Sequence, residues 1–435
     1  MASDPICASA TPLLPSAVAV LRVSGPGLAA RLEGLLKLPP PRRAAVRHLR
    51  WDGFDEAALV LYFPAPDSYT GEDVVEFQVH GNALLVRRLM AHLGTRGIRL
   101  AEPGEFTRRA LLNGRKGLLE AEALRDLVAA QTDQQLRQAQ ARTGALPPWI
   151  REARNALAPW MARAEAAVDY GDEEGIGLPM GELKAAMEAL GERFHVERRR
   201  SEAARWLQGG IRIALAGRPN AGKSTLFNAL AGEERALVTE VPGTTRDVLE
   251  VTCEWRGLPL RLFDTAGLRV TEDRVEALGV ARVQPVLAQA DLILHLIPVG
   301  DRHSDPEVAR ALAPFTGRVL VVRTHGDEGA PGQGELVISA RTGDLDALER
   351  ALKARFLEGQ TPEALLGALA SERQRALLAD LARQVDLLVD LPEDCPPEVP
   401  ASLLQGAWGL LARLTGEDRA ESALDQVFSG FCLGK

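Results

Sequence analysis

IRIALAGRPNAGKSTLFNALAG, Ile211 to Gly232, decides the fold of its surroundings. Its first six residues are apolar apart from one arginine, the pattern of a strand buried on both faces of a parallel sheet. GRPNAGKS, Gly217 to Ser224, fits G-x-x-x-x-G-K-[ST], and STLFNALAG continues as an apolar helix. Strand, glycine-rich turn and helix are the context in which such a match has a mechanism. The glycines let backbone N–H groups close around a phosphate, and the helix N-terminus adds its dipole. Lys223 reaches the β- and γ-phosphates, and the Ser224 hydroxyl binds Mg²⁺. A chance match in a glycine-rich loop would lack the flanking strand and helix.

Two downstream stretches extend the reading. PGTTRD, Pro242 to Asp247, offers Thr245 as a second hydroxyl for Mg²⁺ and as a sensor of the γ-phosphate. FDTAG, Phe263 to Gly267, ends an apolar run with Asp264, suited to the metal's water shell, and with Gly267, whose N–H can face the γ-phosphate. Together they describe a Mg²⁺-nucleotide switch protein. Guanine is usually read by Asn-Lys-x-Asp after the strand that RVLVV would form; here the residues are Thr324-His325-Gly326-Asp327. Asp327 can accept two hydrogen bonds from guanine, Thr324 lacks the amide, and His325 can only stack. ISART, with Ser339 and Ala340, suits the backup loop of the base site. Guanine is favoured, and adenine stays open. Leu268 stands where many such proteins carry a water-orienting Gln, so a polar residue must come from elsewhere. Glu276 is the best placed, ahead of Glu272 and Asp273, although periodicity alone makes it a surface helix residue.

Outward from this core, strand-like runs at LRLFDTAG, LILHLIPV, RVLVVRT and LVIS alternate with helical stretches, predicting a doubly wound α/β domain over residues 208–358. From Leu118 the chain is rich in Ala, Leu, Gln and Arg at helical spacing. It is interrupted at Pro147-Pro148 and resumes through WIREARNALAPWMARAEAAVDY and from Met180 to Trp206. After residue 358 it is helical again, broken by PEDCPPEVP. The predicted organisation is an α+β domain at 1–116, a helical domain at 117–207 and 359–435, and the α/β domain inserted between its halves. ERRRSEAAR within the third helix can be an RNA patch or, given its interleaved acids, a solvated face. The net charge of −8 gives no global attraction for nucleic acid. No apolar run reaches bilayer length, and Asp4 with no basic n-region argues against a signal peptide. Four scattered cysteines without CxxC suggest neither zinc nor a disulfide framework, and fit a reducing, cytoplasmic setting.

The chain closes with FCLGK, Phe431 to Lys435. Cys432 there can be a lipid signal, a catalytic group or a small packed residue. Prenylation fits poorly, since Gly434 and Lys435 stand where its pattern wants an aliphatic and a permitted terminal residue. GRPNAGKSTLFNAL, PGTTRD, DTAGLR and FCLGK together resemble the MnmE (TrmE) family of tRNA-modification GTPases. LRVSG, SYTGEDVVEFQVHGN, PGEFTRRALLNG and LLEAEALRDLVAAQT are similar to further family blocks, in the family's order, so the resemblance covers essentially the whole chain. It implies a K⁺-stimulated GTPase that works as a homodimer with an FAD-containing MnmG-like partner. The pair installs an aminomethyl or carboxymethylaminomethyl group on C5 of wobble uridine in certain tRNAs. The carbon comes from 5-formyl- or methylene-tetrahydrofolate. Folate binding falls on Arg22, Glu76, Arg115 and Lys435, with Cys432 near the one-carbon group. K⁺ falls on Asn220, Thr239, Val241 and Thr244. The implied GTP set is Asn220, Ala221, Gly222, Lys223, Ser224, Thr225, Thr239, Thr244, Thr245, Asp264, Thr265, Ala266, Gly267, Asp327, Ser339, Ala340 and Arg341. A regulatory GTPase of RNA or ribosome assembly would share the nucleotide motifs but has no use for a folate pocket. The chain departs from the family at Arg115, at THGD, and at PLLPSAVAV, where the family loop is glycine-rich.

Overall fold

The computed structural model describes residues 4–13, 15–144, 146–174, 177–232, 237–238, 249–264, 284–301, 303–329, 334–417, 428, 431 and 434. Two compact units are present, one of Met1–Arg125 with Ala412–Lys435 and one of Asp126–Leu411.

The first unit is α+β. Its sheet contains β1 (Ile6–Ser9), β2 (Ser16–Ser24), β3 (Ala45–Trp51), β4 (Phe54–Phe63), β5 (Val74–Gly81) and β6 (Arg99–Leu100), in the order β3-β4-β5-β2-β1-β6. All neighbours are antiparallel except β1 and β6. AVAVLRVSG and AALVLYF lie in β2 and β4. Alternation in β2 buries Ala19, Leu21 and Val23 and leaves Arg22 on the other face. The short α1 (Leu28–Arg31) follows β2, and α2 (Ala83–Thr95) covers the sheet with Val86, Leu89 and Leu93. The Asn82 carboxamide oxygen starts α2 by accepting from the Leu84 and Leu85 amides at 2.9 and 3.1 Å.

Helix α3 (Glu105–Leu112) begins at Gly104, whose φ of 72° is left-handed. A Cβ there would lie 2.9 Å from Phe431 Cβ and 3.0 Å from the Phe428 carbonyl oxygen, so the C-terminal segment packs where only glycine leaves room. Phe428 and Phe431 join Leu111, Leu118 and Ala121 in a small apolar cluster against α3 and the start of α4 (Leu118–Ala129).

The second unit holds helices and the P-loop sheet. Helix α5 (Asp133–Arg142) opens with a reciprocal cap between Thr132 and Gln135, and its Arg142 is buried against Asp126 at 2.9 Å. Pro147-Pro148 separates it from α6 (Pro148–Glu174), with Pro148 in the first turn where its missing N–H costs nothing. Helix α7 (Met180–Gly209) leads into β7 (Ile211–Ala216), followed by α8 (Lys223–Ala231), β8 (Leu237–Val238), β9 (Leu249–Trp255), β10 (Leu258–Asp264), β11 (Leu292–Pro298), α9 (Pro306–Leu312), β12 (Val319–Thr324) and α10 (Asp346–Leu357). Helices α11 (Glu372–Val389) and α12 (Glu398–Thr415) follow, the proline cluster lying between them. Although the sheet separates them in sequence, α7 and α11 pack together: His195 meets Asp386 at 3.0 Å and Arg375 meets Glu202 at 3.1 Å.

The sheet runs β12-β11-β7-β10-β9-β8. Its first four strands are parallel, and β9 and β8 add an antiparallel edge. Ile213, Leu215, Leu262 and Leu294 face one buried layer, and Ala214, Phe263 and Ile293 the other. Two covered faces are why IRIALA lacks alternation. LVIS, expected as a strand, makes only isolated bridges, Val337 to Arg323 and Ser339 to Asp344, because the chain bends there around the end of β12. Strand β9 is absent from the expectations; its signal is the Arg256-Gly257 turn, left-handed at both residues, which joins it to β10 as a two-residue hairpin.

Candidate functional site

At the C-terminal ends of the parallel strands lies the phosphate loop. Gly217 leaves β7 so close to β11 that a Cβ would sit 2.6 Å from the Leu296 carbonyl oxygen. The backbone then turns through Asn220, left-handed at φ 63°, and Gly222, φ 85°, which caps α8. Lys223 folds over the loop, its ammonium donating to the Gly217 and Arg218 carbonyls, each at 2.7 Å. Arg218 in turn pairs with Asp301 at 2.7 Å. Asn220, Ser224 and Thr225 are exposed around the lip, and Ala221 is buried beneath it. This is a ring of backbone N–H groups, an ammonium and hydroxyls at a helix N-terminus, chemistry suited to a phosphate anion and a hard cation.

Beside it, the end of β12 forms the candidate base loop. Thr324 is buried, and its hydroxyl donates to the Ala221 carbonyl at 3.0 Å. The residue without an amide therefore ties the base loop directly to the phosphate loop, a role that its sequence position alone does not reveal. His325, left-handed at φ 61°, brings Nε2 to 3.5 Å from where a Cβ on Gly222 would lie. Asp327 is held on both oxygens: Ser339 Oγ donates to Oδ1 at 2.6 Å and Arg341 Nε donates to Oδ2 at 2.9 Å. The Ser339 hydrogen bond first, then Arg341, lowers its carboxyl to about 2. Ala340 lies between these two supports. Asp264 ends β10, opposite Leu249 in register. Thr239, Val241, Thr244, Thr245, Thr265, Ala266, Gly267 and Glu276 lie outside the described residues.

A second polar site occupies the first unit. Arg22 and Glu76 are direct cross-strand partners, bonded Nε to Oε1 at 2.9 Å. The Arg22 guanidinium also lies 5.4 Å from the Tyr69 ring centre and 5.8 Å from that of Phe106. Gly434 points its carbonyl at Arg22 Nη1, 3.5 Å away, and a Cβ at Gly434 would run into the Ser9 carbonyl. The structure thus brings the tail to Arg22 and Glu76. Arg115 brings Nη1 to 3.8 Å from Asp67 Oδ1 and is exposed. Cys432 and Lys435 lie outside the described residues. Cys7 and Cys253 are buried, and burial pushes both thiols up to about 12, leaving them unreactive. Around the site, Arg109 braces Glu72 at 3.1 Å and Glu105 at 2.8 Å.

No helix among the described residues is long and apolar enough to cross a membrane. A family model described as "GTP-binding protein TrmE N-terminus" matches residues 5–115, and one described as "MnmE helical domain" matches residues 118–432. Proteins named tRNA modification GTPase MnmE are similar over nearly their whole lengths. That of Methylorubrum populi is 41% identical, covering 97% of this chain and 95% of the relative. That of Thermus thermophilus is 40% identical, covering 99% of each. That of Alkalilimnicola ehrlichii is 39% identical, covering 100% of each. Among solved structures, the G domain of the T. maritima FeoB iron transporter aligns with 34% of this chain and 99% of its own, at 26% identity and TM-score 0.26. On its two family matches and its full-length relatives, the chain belongs to the MnmE (TrmE) family of tRNA modification GTPases.

Proposed function

We propose that this protein is a K⁺-stimulated GTPase that acts as a homodimer with an FAD-containing MnmG-like partner in the cytoplasm. The complex modifies C5 of the wobble uridine of certain tRNAs with a one-carbon unit from a reduced folate. The observation that carries this reading is the return of the tail. Phe431 is buried against α3, and Gly434 faces the Arg22–Glu76 pair, which lies at the far end of the sequence. A regulatory GTPase would use the P-loop and base loop alike, but would have no use for that site.

The P-loop amides and Lys223 bind the phosphates, and Asp327, ionised by its Ser339 and Arg341 contacts, reads the guanine edge. Ser224 and Thr245 would hold Mg²⁺. Asn220, with Thr239, Val241 and Thr244, would hold K⁺; an amide oxygen and carbonyls are neutral, hard donors that suit a large monovalent cation. Bound there, that ion would supply positive charge to offset the charge that develops in the transition state. Glu276 would orient the attacking water. Arg22, Glu76, Arg115 and Lys435 would bind the folate.

The test follows from where that charge acts. K⁺ should raise kcat well above its Na⁺ value, and Asn220→Ala should abolish the difference while GTP still binds. Glu276→Ala should slow hydrolysis in either salt. Equal rates in K⁺ and Na⁺ for the unsubstituted protein would refute the cation assignment.

A further inference from the structure

The tail site contains a further cation, Lys116, which none of the site assignments above include. It follows the turn that closes α3, where the Arg115 and Lys116 amides both donate to the Ala110 carbonyl. The two side chains then part. Arg115 runs across the loop at Gly71, its Cγ and Cδ 3.2 and 3.5 Å from where a Cβ on that glycine would lie, and 41% of it is exposed. Lys116 turns to the aromatic floor: Nζ lies 5.6 Å from the Tyr69 ring centre, the same ring that Arg22 approaches at 5.4 Å, and 20% of it is exposed.

The two cations near Tyr69 are held differently. The fork of Arg22 is engaged by Glu76 and faces the Gly434 carbonyl. Lys116 is paired with Glu120, one turn along in α4. An ammonium has three donors, so this contact leaves it capacity to bind an oxygen anion from outside the chain. At neutral pH the anionic groups of a reduced folate are its glutamate carboxylates. We infer that Lys116 is a further cation of this site, beside Arg115, and binds a glutamate carboxylate of the folate. The inference rests on the folate reading given above.

The experiment measures 5-formyltetrahydrofolate binding by calorimetry for the full chain and its Lys116→Met, Lys116→Arg, Arg115→Met and Arg22→Ala variants. The same titrations use the uncharged N-methylamide of 5-formyltetrahydropteroate, which lacks the glutamate and its carboxylates. Lys116→Met should weaken the folate about tenfold, as loss of one charged hydrogen bond does. Lys116→Arg should retain most of the affinity. This amide should bind the Lys116→Met and unsubstituted proteins alike. GTP hydrolysis, unchanged in both Lys116 variants, reports that they fold. A loss in Arg115→Met with none in Lys116→Met would overturn the assignment. So would equal losses for both ligands in Lys116→Met, which would make Lys116 a shaper of the pocket. If Arg22→Ala abolishes binding while Lys116→Met does not, the folate reading stands and Lys116 falls. No binding of either ligand by the unsubstituted protein overturns the folate reading and this assignment with it.

Discussion

Thr324 shows what a single hydroxyl does at the junction of two loops. Its bond to Ala221 is buried, so removing the donor leaves a buried carbonyl unpaired. Thr324→Val keeps the shape and loses the hydroxyl. It should cost about 1 kcal/mol of positioning and lower GTP affinity roughly fivefold, read by titration; an unchanged affinity would mean that the loops are aligned by packing alone. Asp327→Asn should shift preference away from GTP, since an amide cannot accept both hydrogen bonds from the guanine edge; unaltered GTP affinity would show that Asp327 is not the reader. Asp327 is singled out by the sequence because its residue type and its place after a strand suit the role proposed for it. The role of Thr324 is not, because it depends on which carbonyl the fold sets 3.0 Å away. Glu105 teaches the same lesson in the first unit. Burial alone would raise its carboxyl, but the Arg99 and Arg109 guanidiniums and the Glu102 amide outweigh that and bring it down to about 2. A carboxyl depressed on folding contributes stability above its unfolded pKa of about 4.3, lost as pH falls toward 2. Glu105→Gln should therefore lower the melting temperature at pH 7 and make little difference near pH 2, followed by circular dichroism; an equal loss at both would assign Glu105 to packing.

At the scale of elements, period and punctuation identify β7 and α8, since a buried apolar run and an apolar helix flank a glycine turn. LVIS departs from its expected strand because a short apolar run specifies burial, and only its neighbours decide whether a ladder forms. The tail is an element of another kind. FCLGK has no periodicity, and its docking appears only where Gly104 leaves room for Phe431. Phe431→Ala removes buried apolar surface that holds this short segment. The tail should detach while the rest of the unit stays folded. Carboxypeptidase should then shorten the variant faster than the unsubstituted protein, and folate binding should fall while GTP turnover persists. Unchanged proteolysis and unchanged folate affinity would show that the tail is anchored elsewhere. Deleting Phe431 to Lys435 should likewise weaken folate binding and spare GTP hydrolysis.

Across the whole molecule, the order of the sequence blocks is more informative than any one of them. A P-loop with DTAG specifies a nucleotide switch and leaves its task open; the N-terminal blocks and the tail narrow that task. What stays illegible is where adjacent basic residues point, because Arg115 and Lys116 differ in direction rather than in charge. The central claim is that this GTPase serves tRNA modification, and it is tested most directly in a strain lacking the protein. Mass spectrometry of wobble nucleosides from its tRNA should show loss of the aminomethyl-type groups on C5 of uridine. The intact gene should restore them, and a gene carrying Lys223→Ala, which removes the ammonium proposed to bind phosphate, should not. Wild-type levels of these nucleosides in the strain lacking the protein would contradict the account.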